Sequence, residues 1–145
     1  MKKVKKDGFT AVGLIVKQDW EGLIREMPVK WDIFKNHVTE IENRKTNVMM
    51  DISLKQQHGI YTQFICAETD DHASVPNGMQ MQKIPTHHYL HHLHHGSLVG
   101  IAETFGEMYQ YGKDNGIELE NMKIDIGYTI QGNETHHDLY IKITD

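Results

Sequence analysis

The sequence predicts an α+β fold built from two strand–helix–strand–strand repeats, about residues 8–68 and 86–145, with a connector at 69–85. Three observations predict it. Short β-branched runs alternate in polarity and twice give way to a three-and-four apolar spacing, so strands and helices come in separate groups. The order of those groups is the same in both halves of the chain. Between the halves lies an acidic, polar stretch at 69–78 that contains Pro76-Asn77-Gly78, as a linker would. Two such halves imply a pseudo-two-fold arrangement with a cleft at their seam, a favoured place for a ligand pocket.

Each element follows from its own residues. Residues 9–17, Phe-Thr-Ala-Val-Gly-Leu-Ile-Val-Lys after Asp7-Gly8, read as the first strand. Trp20, Leu23, Ile24, Met27, Trp31, Phe34, Val38 and Ile41 then fall on one helical stripe. Pro28 has no amide and crowds the preceding turn, which predicts a short turn over 20–27 and a main helix over 28–43. Residues 47–55 give a strand with Val48, Met50, Ile52 and Leu54 on one face and Met49, Asp51 and Ser53 on the other. Gln57-His58-Gly59 turns it into a hairpin with the strand at 60–68.

The second half opens after a connector strand at 79–84 that Pro85 ends. Six histidines follow within residues 85–96, on a strand that places His87, Tyr89, His91, Leu93 and His95 on one face and His88, Leu90, His92 and His94 on the other. Ser97 is the expected N-cap of a helix over 98–113 that buries Leu98, Ile101, Ala102, Phe105, Met108 and Tyr109. Asn115-Gly116 stops that helix. Strands at 123–130 and 138–144, around a polar turn at 131–137, close the chain.

Composition narrows the function. A chain of 145 residues is most simply one domain. Its net charge of −5 gives no general grip on phosphate backbones, so no direct nucleic-acid binding is expected. The lysines at 2, 3, 5 and 6 read as a solvated tail. No apolar run reaches the ~18 residues that a membrane span needs. Cys66 is the single cysteine, which excludes a disulfide framework and a cysteine zinc site and makes a reducing cytoplasm the expected compartment.

Several motifs, in order, resemble one family. Ala11-Val12-Gly13-Leu14 is similar to its opening strand, and Trp31-Asp32-Ile33-Phe34 ahead of Ile41-Glu42-Asn43 to its tryptophan-bearing first helix. Val75-Pro76-Asn77-Gly78-Met79 leading to Ile84-Pro85 resembles its connector. Tyr89, His94 and Gly96 match a Tyr-x4-His-x-Gly strand ending, and Tyr109, Tyr111 and Gly116 an aromatic pair and closing glycine. Tyr128 and Tyr140-Ile141-Lys142-Ile143 resemble the last two strands. The chain thus resembles the GyrI-like small-molecule-binding family, the effector-binding domains of multidrug-responsive transcription activators, which also occur alone. The resemblance covers nearly the whole chain and implies a standalone binder of small aromatic or lipophilic compounds, linked to transcriptional regulation or a xenobiotic response.

One departure bears on specificity. The family often places a buried, cation-balancing glutamate two residues before the tyrosine of the penultimate strand, and here Ile126 holds that position. Asp125 is its neighbour, and adjacent strand residues face opposite ways. Either a bulge turns Asp125 inward or the cation-selecting group is lost.

An aromatic-walled cleft gains contact area at low entropic cost, with a few polar groups to orient the ligand. The candidate ligand-binding residues are Trp31, Phe64, Tyr89, His91, Tyr109, Tyr111, Asp125 and Tyr128. The plainer reading of Trp31, as of Phe34, is core packing, whereas the hydroxyls of Tyr111 and Tyr128 favour a cleft. The histidine strand could in principle meet zinc or nickel, but no cysteine and no His-Glu-x-x-His helix supports it, so neither metal nor cofactor is expected. A histidine-lined cleft would make ligand preference depend on pH near 6. Hydrolysis of small electrophiles is the enzyme alternative, with Glu103, Glu107 or Asp125 as base and Tyr128 as donor; nothing in the spacing demands it, and no catalytic residue is assigned. A gyrase-inhibitor-like module that engages a protein partner is the third class.

Overall fold

The computed structural model describes residues 1–145 as one eight-stranded antiparallel sheet carrying two helices. The strands are β1 (Lys2–Lys6), β2 (Phe9–Gln18), β3 (Met49–Gln57), β4 (Ile60–Thr69), β5 (Gln80–Ile84), β6 (His87–His95), β7 (Leu119–Tyr128) and β8 (His136–Ile143). Helix α1 (Trp20–His37) follows β2, and α2 (Ile101–Asp114) follows β6 after one 3-10 turn at Leu98–Gly100. The strand order is β1-β6-β8-β7-β3-β4-β2-β5. Counted from the outside to the centre, β2, β4 and β3 of one half stand as β6, β8 and β7 do in the other. The α+β class is the one the residue patterns predict.

The row of residues directly opposite one another across the sheet fixes which face each element uses. His92, Leu139, Asp125, Asp51, Ile65 and Leu14 form such a row, on β6, β8, β7, β3, β4 and β2. Leu139 packs in a buried cluster with Leu90, Ile101, Met108 and Ile141 beneath α2. Ile65 packs with Val12, Leu23, Phe34 and Met49 beneath α1. Both helices therefore cover one face, and the centre of the row between them holds two aspartates. A row shifted by one residue, His91, Tyr140, Ile124, Ile52, Phe64 and Ile15, faces the other way. There Phe64, Ile52 and Ile124 join Tyr89, Ala11 and Ile84 in a core of their own.

Several elements differ from the sequence expectation for physical reasons. The N-terminal lysine run is not a free tail. It forms β1, paired with β6, and Val4 packs on the core that contains Tyr89. Lysines at the edge keep their ammonium groups in water and blunt the exposed edge, which composition alone reads as solvation. Pro28 does not break α1, which runs unbroken through it from an N-cap at Asp19, whose carboxylate accepts the Gly22 amide at 2.8 Å. The carbonyl that Pro28 leaves without a donor belongs to Ile24, which is 58% exposed, so water can take its place. Helix α2 begins at Ile101, Ser97 makes no side-chain cap, and Leu98 and Ala102 are exposed rather than buried.

No helix is long and apolar enough to cross a membrane. Cys66 is a free, buried thiol whose pKa burial pushes up, with Asp51 and Glu68 adding to the effect.

Candidate ligand-binding groove

Helix α1 rests on β2 and β4, and α2 rests on β6, so β3 and β7 run between the helices as the floor of a groove. Its deepest feature is a pair of aspartates facing each other across those strands, Asp51 and Asp125. Each is held from the outer strand of its own half by one side chain. Gln63 Nε2 donates to Asp51 Oδ1 at 3.0 Å, and His137 Nδ1 donates to Asp125 Oδ1 at 2.6 Å.

Asp125 faces the groove in regular register with Asp51, and a bulge brings Tyr128 to the same face. Opposite Met49 and Met50 the partners on β7 are Tyr128 and Ile126, so the ladder slips by one residue at Gly127. The extra residue breaks the in-out alternation and puts Asp125 and Tyr128 on the same side. Gly127 has φ 146°, a conformation that side chains with a Cβ rarely adopt. The Tyr128 hydroxyl then donates to Asp125 Oδ2 at 2.5 Å, and the ring stacks against Trp31 of α1 with centroids 4.4 Å apart. Of the two readings of Ile126 left open by the sequence, the geometry is that of the inward-turned Asp125.

The electrostatics of the pair are set by burial. Desolvation lifts the Asp51 carboxyl to about 7, and the charge of Asp125 adds to the rise. The hydroxyl of Tyr128 is held far above its ordinary range by burial first and then by Asp125. Behind the pair, His137 is wholly buried, and its Nε2 lies 3.8 Å from Glu134 Oε1, neither with a hydrogen-bond partner. Burial alone would raise the Glu134 carboxyl; its own backbone amide, the Thr129 hydroxyl and His137 outweigh that and lower it.

The walls are aromatic. On α1, Trp20, Ile24, Met27 and Trp31 lie at helical steps of four, three and four, and Trp20 meets Tyr61 at 5.6 Å. Trp20 and Ile24 are 57% and 58% exposed, which leaves this stripe open to a ligand. From α2, Phe105 and Tyr109 flank Lys123, whose ammonium sits 5.9 Å and 5.5 Å from their ring centres. One end of the groove deepens into a cavity of about 190 Å³ beside Trp20, Tyr61, Gln63 and Lys123.

The eight residues singled out by sequence divide between the two faces. Trp31, Tyr109, Asp125 and Tyr128 are brought together at the groove. Phe64, Tyr89 and His91 lie on the opposite face of the sheet: Phe64 and Tyr89 are core, and His91 stacks on Tyr140 and donates from Nε2 to Asp138 at 2.8 Å. Tyr111 packs on the α2 side cluster of Leu90 and Met108, on the flank that Thr104 turns toward His94. Asp51, Gln63, Lys123 and His137 belong to the site and were not singled out. A lone carboxylate among the apolar residues of 48–54 was the available signal for Asp51. No three His, Cys, Asp or Glu side chains converge as metal ligands.

Comparison with known proteins identifies the family and the fold. A family model described as integron-associated effector binding protein matches residues 4–143. The chain belongs to that family. A search of curated protein sequences finds no match. Among solved structures, the integron cassette protein VCH_CASS2 from the mobile metagenome of Vibrio cholerae superposes with a TM-score of 0.73 at 11% identity, over 99% of this chain and 95% of that one. SAV2435 bound to tetraphenylphosphonium gives 0.76 at 9% identity, over 99% and 93%. The C-terminal domain of EcmrR gives 0.69 at 13% identity, over 99% and 96%. At these identities the likeness is one of fold. It places this member of the effector-binding family in the GyrI-like fold that the motifs resemble.

Proposed function

We propose that this protein binds a small aromatic or lipophilic cation in the groove between α1 and α2. The observation that carries the reading is the Asp51–Asp125 pair roofed by the stacked rings of Trp31 and Tyr128. Rings offer a face that attracts cations, and the buried Asp125 and half-buried Asp51 supply charge where water screens it little. Both oxygens of Asp125 are already engaged, so it acts by its field, while Asp51 is the less buried partner and the one a ligand would ionise. Family membership and the tetraphenylphosphonium complex of a fold neighbour support the same reading. The role we propose is in a cytoplasmic transcriptional or xenobiotic response, exerted through a protein partner or by sequestering the ligand; a fold neighbour named for bacterial transcription regulation supports the transcriptional part.

Calorimetric titration with tetraphenylphosphonium and with uncharged triphenylphosphine oxide tests this. The cation is expected to bind at least about tenfold more tightly, and Asp125→Asn to remove most of that preference. Equal affinity for the two probes would refute cation selection.

A further inference from the structure

The cavity at the far end of the groove has the opposite chemistry from the aspartate pair. No carboxylate lines it, and two lysines do, Lys55 and Lys123. Lys123 is half-buried and makes no ion pair with any carboxylate in the chain. Its ammonium contacts only the Asn121 carbonyl at 3.1 Å and the Tyr109 hydroxyl at 3.4 Å, besides the two aromatic faces beside it. A cation taken out of water with so few partners leaves donor capacity unspent, and only a counter-anion or water can use it. Trp20 and Tyr61, tilted against each other, provide an apolar wall, and the Asn121 side chain and Gln63, whose Nε2 is given to Asp51, stand at the same cavity. At about 190 Å³ it exceeds the roughly 150 Å³ that admits a benzene ring.

We propose that this cavity receives an aromatic ring bearing an anionic group, a carboxylate or sulfonate, whose charge pairs with Lys123. The inference deepens the ligand-site reading of the groove; the aspartate pair lies two residues along each central strand, about 7 Å away, close enough for Asp51 and Lys123 each to feel the other's charge. It adds a second charge preference to the same groove.

Amide NMR titration of the full chain with 2-naphthoate and with uncharged 2-naphthylmethanol tests it. The expected result is a naphthoate affinity at least about tenfold above that of the alcohol, the worth of one charge-assisted hydrogen bond, with shifts at Trp20, Gln63 and Lys123. Lys123→Met should bring naphthoate down to the level of the alcohol and strengthen tetraphenylphosphonium, because a positive charge leaves the groove. Equal affinity of the two naphthalenes for the parent chain would overturn the inference without any variant. Naphthoate binding without tetraphenylphosphonium binding would refute the cation reading alone; the reverse would refute this one alone.

Discussion

Replacing Asp51 with asparagine is expected to stabilise the folded chain by about 1–3 kcal/mol near pH 8 and to change little near pH 4. The sign follows from proton uptake. Burial and the charge of Asp125 raise the carboxyl of Asp51 from 3.8 to about 7, so between those values the folded state holds a proton that the unfolded state has lost. Stability contributed by this group is then present at low pH, falls as pH rises through that window, and stays low above about 7. The full shift would amount to about 4 kcal/mol, and the solvent that reaches Asp51 reduces it. Asparagine keeps the acceptor for Gln63 and removes the repulsion. Urea unfolding of the two proteins across pH 4–8 measures the difference, and a variant less stable than the parent near pH 8 would contradict the burial argument. The same titration couples to function: affinity for a cation should rise as pH passes through about 7 in the parent and stay flat in Asp51→Asn.

Gly127→Ala is expected to cost roughly 2–4 kcal/mol and to weaken cation binding at least about tenfold in whatever fraction still folds. Two causes act together. A Cβ at this position would sit 2.8 Å from the His136 carbonyl oxygen and 3.2 Å from His137 Cα, and the backbone conformation is one that alanine rarely adopts. Relief requires the bulge to straighten, and a straightened strand turns either Asp125 or Tyr128 away from the groove. Denaturant unfolding reads the first effect and calorimetry the second. Parent-like stability would mean that the bulge is not held by this glycine.

The elements that were legible in the sequence are those where one residue pattern admits one answer. The alternation over 48–54 assigns Met50 and Ile52 to one face and Met49 and Asp51 to the other, and both assignments match the structure. The stripe from Trp20 to Phe34 is a helix whose Leu23 and Phe34 face the sheet, and the separate grouping of strands and helices gives the class. Register across strands was not legible, because it depends on partners distant in the chain. Phe64 and Trp31 both read as cleft aromatics, and only the pairing of Phe64 with Ile52 and Ile15 shows that it faces away from Trp31.

Charge hid other features. Lys2, Lys3, Lys5 and Lys6 mask the edge strand β1, although Val4 between them is the residue that anchors it. Asp125 was legible only as an alternative, since a glycine inside a strand marks a bulge without saying which neighbour it turns. Asp51 and Lys123 gain their significance from burial beside one another, which no local pattern reports.

The most direct test is where tetraphenylphosphonium binds, read from amide and indole shifts on titration. The groove account predicts that the largest shifts fall on Trp31, Tyr128, Asp51 and Asp125, with saturation. Shifts concentrated on Phe64, Tyr89 and His91 across the sheet, or none that saturate, would contradict it.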